Sequence, residues 1–328
     1  MNLRALRVIV LGVGLLGAPL TAQPQQPEKA ARVGVLVPGP SAPDAETYHA
    51  FRQGLRERGW VEGRNLTLDF RYADSRYDRL PALAAELVAL KPDVIFAVAA
   101  PAIRAVTQTT RTIPIVIETL GDAPSAGLVQ DLARPGGNVT GVSGFAPELM
   151  TKRLQLLREL LPKADSVGIL ANLANPTSPP VVRATETAAR HLRIQLHVVD
   201  VRDASELVSA FDRLHRHAAD ALVVVSDPML HDQSRRLIEL AERNRLPAVY
   251  EQRLFPDVGG LLSYGPGRLD RFQRAAMYVD RILRGAKPAE LPIERPTKFE
   301  LVINLKAARA LRLAIPQSIL QQADAVIQ

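Results

Sequence analysis

The 328-residue chain contains no cysteine. Disulfides are therefore excluded, and so is a lipid tether through a cysteine at an export junction. Aromatic residues make up only 5%, and no basic run has aromatics interleaved with it. Nucleic-acid binding has no footing in such a pattern. Basic residues stand among acidic ones, as in Arg52-Gln53-Gly54-Leu55-Arg56-Glu57-Arg58, and the formal net charge is +7. Beyond the amino terminus no apolar stretch approaches the roughly 18 residues of a membrane span. Reactive constellations are missing as well. The six histidines, His49, His191, His197, His215, His217 and His231, show no metal-ligand spacing, and solvated surface positions are expected for them. Gly141-Val142-Ser143-Gly144-Phe145 lacks the closing glycine of a nucleophile elbow. There is no phosphate loop, and neither a cofactor nor a metal is implied.

What is present begins with residues 1–22. Arg4 and Arg7 give a positive start, Val8 to Leu16 is apolar, and Ala18 to Ala22 supplies small residues and a break. This pattern reads as a cleavable secretory signal, with the cut expected after Ala22. Loss of Arg4 and Arg7 would lower the charge from +7 to +5. Gly12-Val13-Gly14-Leu15-Leu16-Gly17 matches a dinucleotide fingerprint letter for letter. Pro19, Pro24 and Pro27 follow it, so the helix that would hold a pyrophosphate cannot form. Residues 23–30 read as a disordered lead-in, and a soluble periplasmic protein is the expectation.

The rest of the chain says nearly the same thing twice. Val33-Gly34-Val35-Leu36 returns as Val167-Gly168-Ile169-Leu170, and Asp93-Val94-Ile95-Phe96 as Asp220-Ala221-Leu222-Val223. Ile113-Pro114-Ile115-Val116 returns as Leu246-Pro247-Ala248-Val249, and Gly136 to Gly141 as Gly259 to Tyr264. The offsets are 134, 127, 133 and 123 residues, in unbroken order. Such a period is too long for a solenoid unit and fits two similar lobes. Short apolar runs alternate with helical spacings such as Leu80, Leu83, Leu87, Leu90. That alternation predicts parallel sheets covered by helices on both faces, an α/β fold of two Rossmann-like lobes. The division expected is lobe 1 over 31–142, lobe 2 over 143–263, and a return to lobe 1 with a C-terminal hinge crossing over 264–328. Hinge crossings are expected at Val139–Ser143 and Leu261–Tyr264, both bracketed by glycine.

Ligands in such sheets bind beyond the carboxyl ends of the strands. The loops there carry Ser41, Ala100, Pro101, Gly121, Asp122, Ser143, Asn172, Asn175, Ser226, Asp227, Glu251 and Ser263. Tyr250 and Tyr264 are placed to cover an apolar ligand part. Asp122 and Asp227 end strands in opposite lobes, so one ligand could bridge them; they could equally serve as acid and base. Trp60 lies at a helix end away from the cleft and reads as packing.

Four stretches carry a family resemblance: Ala50 to Leu55, Tyr77 to Ala84, Arg134 to Ser143, and Pro296 to Lys306 (Pro-Thr-Lys-Phe-Glu-Leu-Val-Ile-Asn-Leu-Lys). Through them the chain resembles the substrate-binding proteins of ABC transporters of the tryptophan/tyrosine-binding type. The resemblance implies a type I periplasmic-binding-protein fold with three hinge crossings. It further implies delivery of an amino-acid-like, often aromatic, ligand to a permease with a cytoplasmic ATPase. One departure stands out. After the strand Val94–Val98 the family commonly has glycine, then serine or threonine, then proline; here Ala99 and Ala100 precede Pro101. A hydroxyl that would bond the ligand is missing, which counts against an ordinary amino-acid ligand; the small molecule expected is amino-acid-like or a small carboxylate. The expected function is that of a monomeric solute receptor closing on a small molecule. An exported sensor docking on a membrane signalling protein, and an exported α/β enzyme using Asp122 and Asp227, are the alternatives.

Overall fold

The computed structural model describes residues 30–41, 45–119, 121–144 and 146–328. The expected signal and lead-in lie outside the described residues, apart from Ala30. The first half runs β1 (Ala31–Val37), α1 (Glu46–Glu57), β2 (Leu66–Tyr72), α2 (Leu80–Ala89), β3 (Val94–Val98), α3 (Ala99–Thr109), β4 (Ile115–Thr119) and β5 (Val139–Ser143). The second runs α4 (Ala146–Leu160), β6 (Ser166–Ala171), α5 (Ser178–His191), β7 (Gln195–Asp200), α6 (Leu207–Arg216), β8 (Ala221–Val224), α7 (Pro228–Asp232), α8 (Ser234–Arg243), β9 (Ala248–Tyr250), α9 (Leu254–Asp257) and β10 (Leu262–Pro266). The chain ends with α10 (Arg268–Leu283), β11 (Phe299–Asn304), α11 (Leu305–Ala310), α12 (Gln317–Gln322) and β12 (Ala325–Ile327). Among the described residues no helix is long and apolar enough to cross a membrane.

The repeat in the sequence is a repeat in the sheets. One sheet has the order β2-β1-β3-β4-β5; the other contains β7-β6-β8-β9-β10, the same order, extended by β11 and β12. Each repeated segment falls on the equivalent strand of its lobe. Strand period explains why the runs are apolar throughout. Val33, Val35 and Val37 of β1 face one core with Phe51, Phe96 and Phe272, while Leu36 faces the other with Leu87, Ile95 and Ile117. Fully burying each such side chain contributes roughly 1.5–3 kcal/mol. The fifth strands of the repeat, β5 and β10, also match: a Cβ on Gly141 would sit 2.2 Å from the Ile117 carbonyl oxygen, and one on Gly265 would sit 2.0 Å from that of Glu251. Only glycine lets these two strands lie so close to their neighbours.

Two features depart from the expected division. Helix α10 returns to the first lobe, where Phe272, Ala275, Ala276 and Val279 join the core beside α1. The chain then pairs briefly at Glu294 with Val142, but β11 goes back to the second sheet, antiparallel to β10, with β12 alongside. Residues 299–328 therefore belong with the second lobe rather than the first. The antiparallel return has no counterpart in the repeat, which is why the repeat does not reveal it. Leu261–Tyr264 likewise sits in the second lobe; the chain leaves that sheet at Gly267. Three crossings result: after β5, between β10 and α10, and between Glu294 and β11.

Candidate functional site

The strand order within each lobe reverses at its first strand, and the loops leaving the carboxyl ends there face each other. They enclose a cleft whose empty space, open mouth included, is about 770 Å³. The first lobe supplies an apolar wall: Val37, Val98, Ala100, and the rings of Tyr48 and Phe272, which meet edge to face at 5.7 Å. The second lobe supplies polar groups: Asn175, Thr177, Ser226, His231, Asp232 and Gln252. Ala99 turns the chain from β3 into α3 with φ +59, a left-handed angle that suits glycine better than alanine. The turn brings the start of α3 to the cleft, with no side chain capping it.

Positive charge in the cleft comes from α10. Arg271, 1% exposed, pairs with Glu118 of β4 and donates through Nε to the Gly267 carbonyl at 3.4 Å. Arg268, one turn earlier, has neither a hydrogen bond nor an ion pair among the described residues. Burial lowers its pKa, with Tyr48, Arg271, Glu118 and Asp232 close enough to act on its charge. His231 accepts or donates to Ser226 Oγ at 3.1 Å. Burial, then repulsion from Arg268 and Arg271, pushes its pKa down to about 3, so the ring is neutral at physiological pH. It is half-buried in the cleft wall rather than a solvated surface histidine.

Side chains also join the lobes across the cleft. Tyr77, in the loop after β2, donates its hydroxyl to Asp227 Oδ2 at 2.9 Å. Burial, reinforced by the Asp227 charge, raises the Tyr77 pKa. At the mouth, Ser75 donates to Asp232, whose pKa desolvation pushes up to about 6. Asp227 is fully buried and caps α7: Oδ1 accepts from the Met229 and Leu230 amides at 3.0 and 3.3 Å, and Oδ2 also accepts from Asn175 Nδ2 at 3.0 Å. Burial raises its pKa against these stabilising bonds.

Of the residues expected from sequence, Ala100 and Asn175 line the cleft, with Ser226 beside them. Asp227 lies just behind, saturated by its own hydrogen bonds. Asp122 is elsewhere: its Oδ1 accepts from Arg295 at 2.9 Å and its Oδ2 from the Ser125 amide. The two aspartates therefore neither bridge one ligand nor form an acid and base pair. Ser143 is buried, accepting from the Ala123 amide and donating to the Gly121 carbonyl. Gly121 touches Thr177 of the other lobe. Pro101 is buried in the first turn of α3, Ser41 is exposed, and Asn172 Oδ1 accepts from the Ala174 amide. Tyr250 is turned inward, stacked on Phe255 at 4.3 Å, so it covers no ligand. Tyr264 packs by Phe299 at 6.2 Å. Glu251 faces Arg153 at 3.3 Å beneath the cleft, and Ser263 is buried. Trp60 packs as expected, its Nε1 donating to Asp280.

Sequence reasoning missed Tyr48, His231, Gln252, Arg268, Arg271 and Phe272. One signal for Arg268 was available: a cation on the first turn of a helix, where it opposes the helix dipole.

Comparison with known proteins agrees with this geometry. The family model for ABC transporter substrate binding proteins matches residues 31–327. A protein named tyrosine-binding protein from Clostridioides difficile (strain R20291) is 26% identical over 286 residues, covering 87% of this chain and 81% of that protein. The crystal structure of an ABC domain in complex with L-Trp from Streptococcus pneumonia is 27% identical, with a TM-score of 0.84, covering 91% of this chain and all of that one. For the fold alone, a leucine binding protein from Thermotoga maritima, 15% identical, has a TM-score of 0.58 over 78% of this chain and 83% of that one. The two lobes have the type I periplasmic-binding-protein architecture. The family is one of binding proteins, not enzymes, and this chain belongs to it: it is an ABC transporter substrate-binding protein.

Proposed function

We propose that the chain is the periplasmic solute receptor of an ABC import system, closing its lobes on one small molecule and delivering it to a permease coupled to a cytoplasmic ATPase. It acts as a monomer after loss of its first 22 residues. The observation that carries the reading is the cleft, with one wall from each lobe and the Tyr77–Asp227 hydrogen bond across it. Three crossings of the chain give the lobes an axis on which to rotate. The L-Trp held by the Streptococcus pneumonia domain and the name of the C. difficile relative support a ligand of amino-acid size. Rotation of the lobes predicts a smaller radius of gyration with ligand than without. Small-angle scattering measures it, and identical profiles at saturation would refute the closing mechanism. Periplasmic fractionation with mass spectrometry should give a mature terminus near Gln23; an intact Met1 in the cytoplasm would refute export.

A further inference from the structure

We infer that the cleft selects a monocarboxylate with an apolar or aromatic body and no α-ammonium group, its carboxylate seated on Arg268. The inference rests on the solute-receptor reading and narrows it to a ligand class.

Arg268 carries the argument. Its guanidinium borders the cleft and, among the described residues, has no ion-pair partner, whereas Arg271 nearby is neutralised by Glu118. A desolvated cation is costly, and this one also stands at the positive end of the 16-residue helix α10. An anion placed against it relieves both penalties. The charge of Arg268 also acts on His231, whose pKa is lowered first by burial and then by that charge. The uncapped start of α3 at Ala99 and Ala100 borders the same space and adds its own positive end. No hydroxyl stands at Ala100, so the guanidinium takes over the part a side-chain donor would have there.

The carboxylates that could hold an ammonium are each engaged by protein groups or set at the mouth. Glu118 is bound to Arg271. Both oxygens of Asp227 are taken by Tyr77, Asn175 and two amides. Asp232 is at the exposed mouth, engaged by Ser75. Away from the mouth, the free acceptor is neutral. The side chain of Gln252, 4% exposed, borders the cleft, and its Oε1 is buried without a hydrogen bond. An amide of that kind complements a hydroxyl, amide or carbonyl on the ligand. Tyr48, Phe272, Val37 and Val98 face an apolar body.

Three compounds of one skeleton test this on the mature protein: 3-(4-hydroxyphenyl)propanoate, L-tyrosine, which adds the ammonium, and tyramine, which keeps the ammonium and lacks the carboxylate. The propanoate should raise the melting temperature and bind in calorimetry; the other two should bind at least tenfold more weakly. Arg268→Gln should weaken the propanoate by about 10- to 100-fold. Its circular dichroism should match the parent and its own melting temperature should not fall. Arg268→Lys should recover part of the loss. L-Tyrosine binding as tightly as the propanoate would overturn the proposal and leave the solute-receptor reading intact, as would an Arg268→Gln variant within twofold of the parent. If none of the three binds, the ligand class is wrong. The receptor reading then falls only if a wider solute screen also produces no closure.

Discussion

Tyr77→Phe should open the cleft without unfolding either lobe. The hydroxyl is 2.9 Å from Asp227 Oδ2 and reaches it from the opposite lobe. The ring itself packs on first-lobe residues, so phenylalanine keeps that packing. Asp227 keeps Asn175 and the Met229 and Leu230 amides, all from its own lobe. What is lost is the hydrogen bond to the carboxylate and a longer one, 3.4 Å, that the hydroxyl accepts from the Met229 amide, both made only when the lobes are together. The bond to the carboxylate dominates and contributes roughly 1.5–3 kcal/mol. That is a shift of about 10- to 100-fold in the ratio of closed to open forms. A ligand that needs the closed form binds more weakly in proportion to the closed fraction. Scattering from the ligand-free variant should show a larger radius than the parent, and calorimetry with any ligand that closes the parent should show the affinity loss. An unchanged radius together with an affinity within twofold would refute the latch.

Two further perturbations address the site and its support. The folded protein takes up the His231 proton only near pH 3, the unfolded chain near 6.5, so acidification between those values favours unfolding. Between pH 7 and 4.5 the parent should lose about 2 kcal/mol more stability than His231→Gln in urea titrations; equal losses would refute the buried neutral ring. Asp232, whose folded pKa is raised to about 6, works in the opposite direction between about pH 4 and 6, and comparing the two proteins cancels it. Arg153→Met strands Glu251 beneath the cleft and should cost about 3–5 kcal/mol, with Arg153→Met/Glu251→Met regaining most of it; a single variant within 1 kcal/mol of the parent would show the pair to be dispensable.

The paired lobes were legible because a buried parallel strand leaves a strong trace. Val33 to Leu36 and Val167 to Leu170 are apolar on both faces, and glycines mark the fifth strand of each repeat. The return of β11 was not legible, since an antiparallel strand beyond the repeat has nothing to be compared with. The cleft was half legible for a related reason. Strand ends such as Ala100 and Asn175 can be located from a strand pattern, but Arg268 and Phe272 lie on a helix that reaches the first lobe from more than 200 residues away in Tyr48's frame. Asp122 looked available because its partner, Arg295, is 173 residues distant. Tyr250 looked like a cover because the sequence does not say which side of β9 faces Phe255.

The late arrival of α10 imposes an order on folding. The first core is built from strands complete by residue 143, yet its aromatic face, Phe51 against Phe96, is closed by Phe272. Gly54 of α1 is kept bare so that Ala276 can approach; a Cβ there would meet that of Ala276 at 2.8 Å. A chain emerging from its amino end therefore cannot seal this core until α10, ending at Leu283, is available, and the loop to be closed spans most of the molecule. The lobe that begins the sequence is among the last parts to finish, and a fragment ending at β10 would leave its aromatic face open to water.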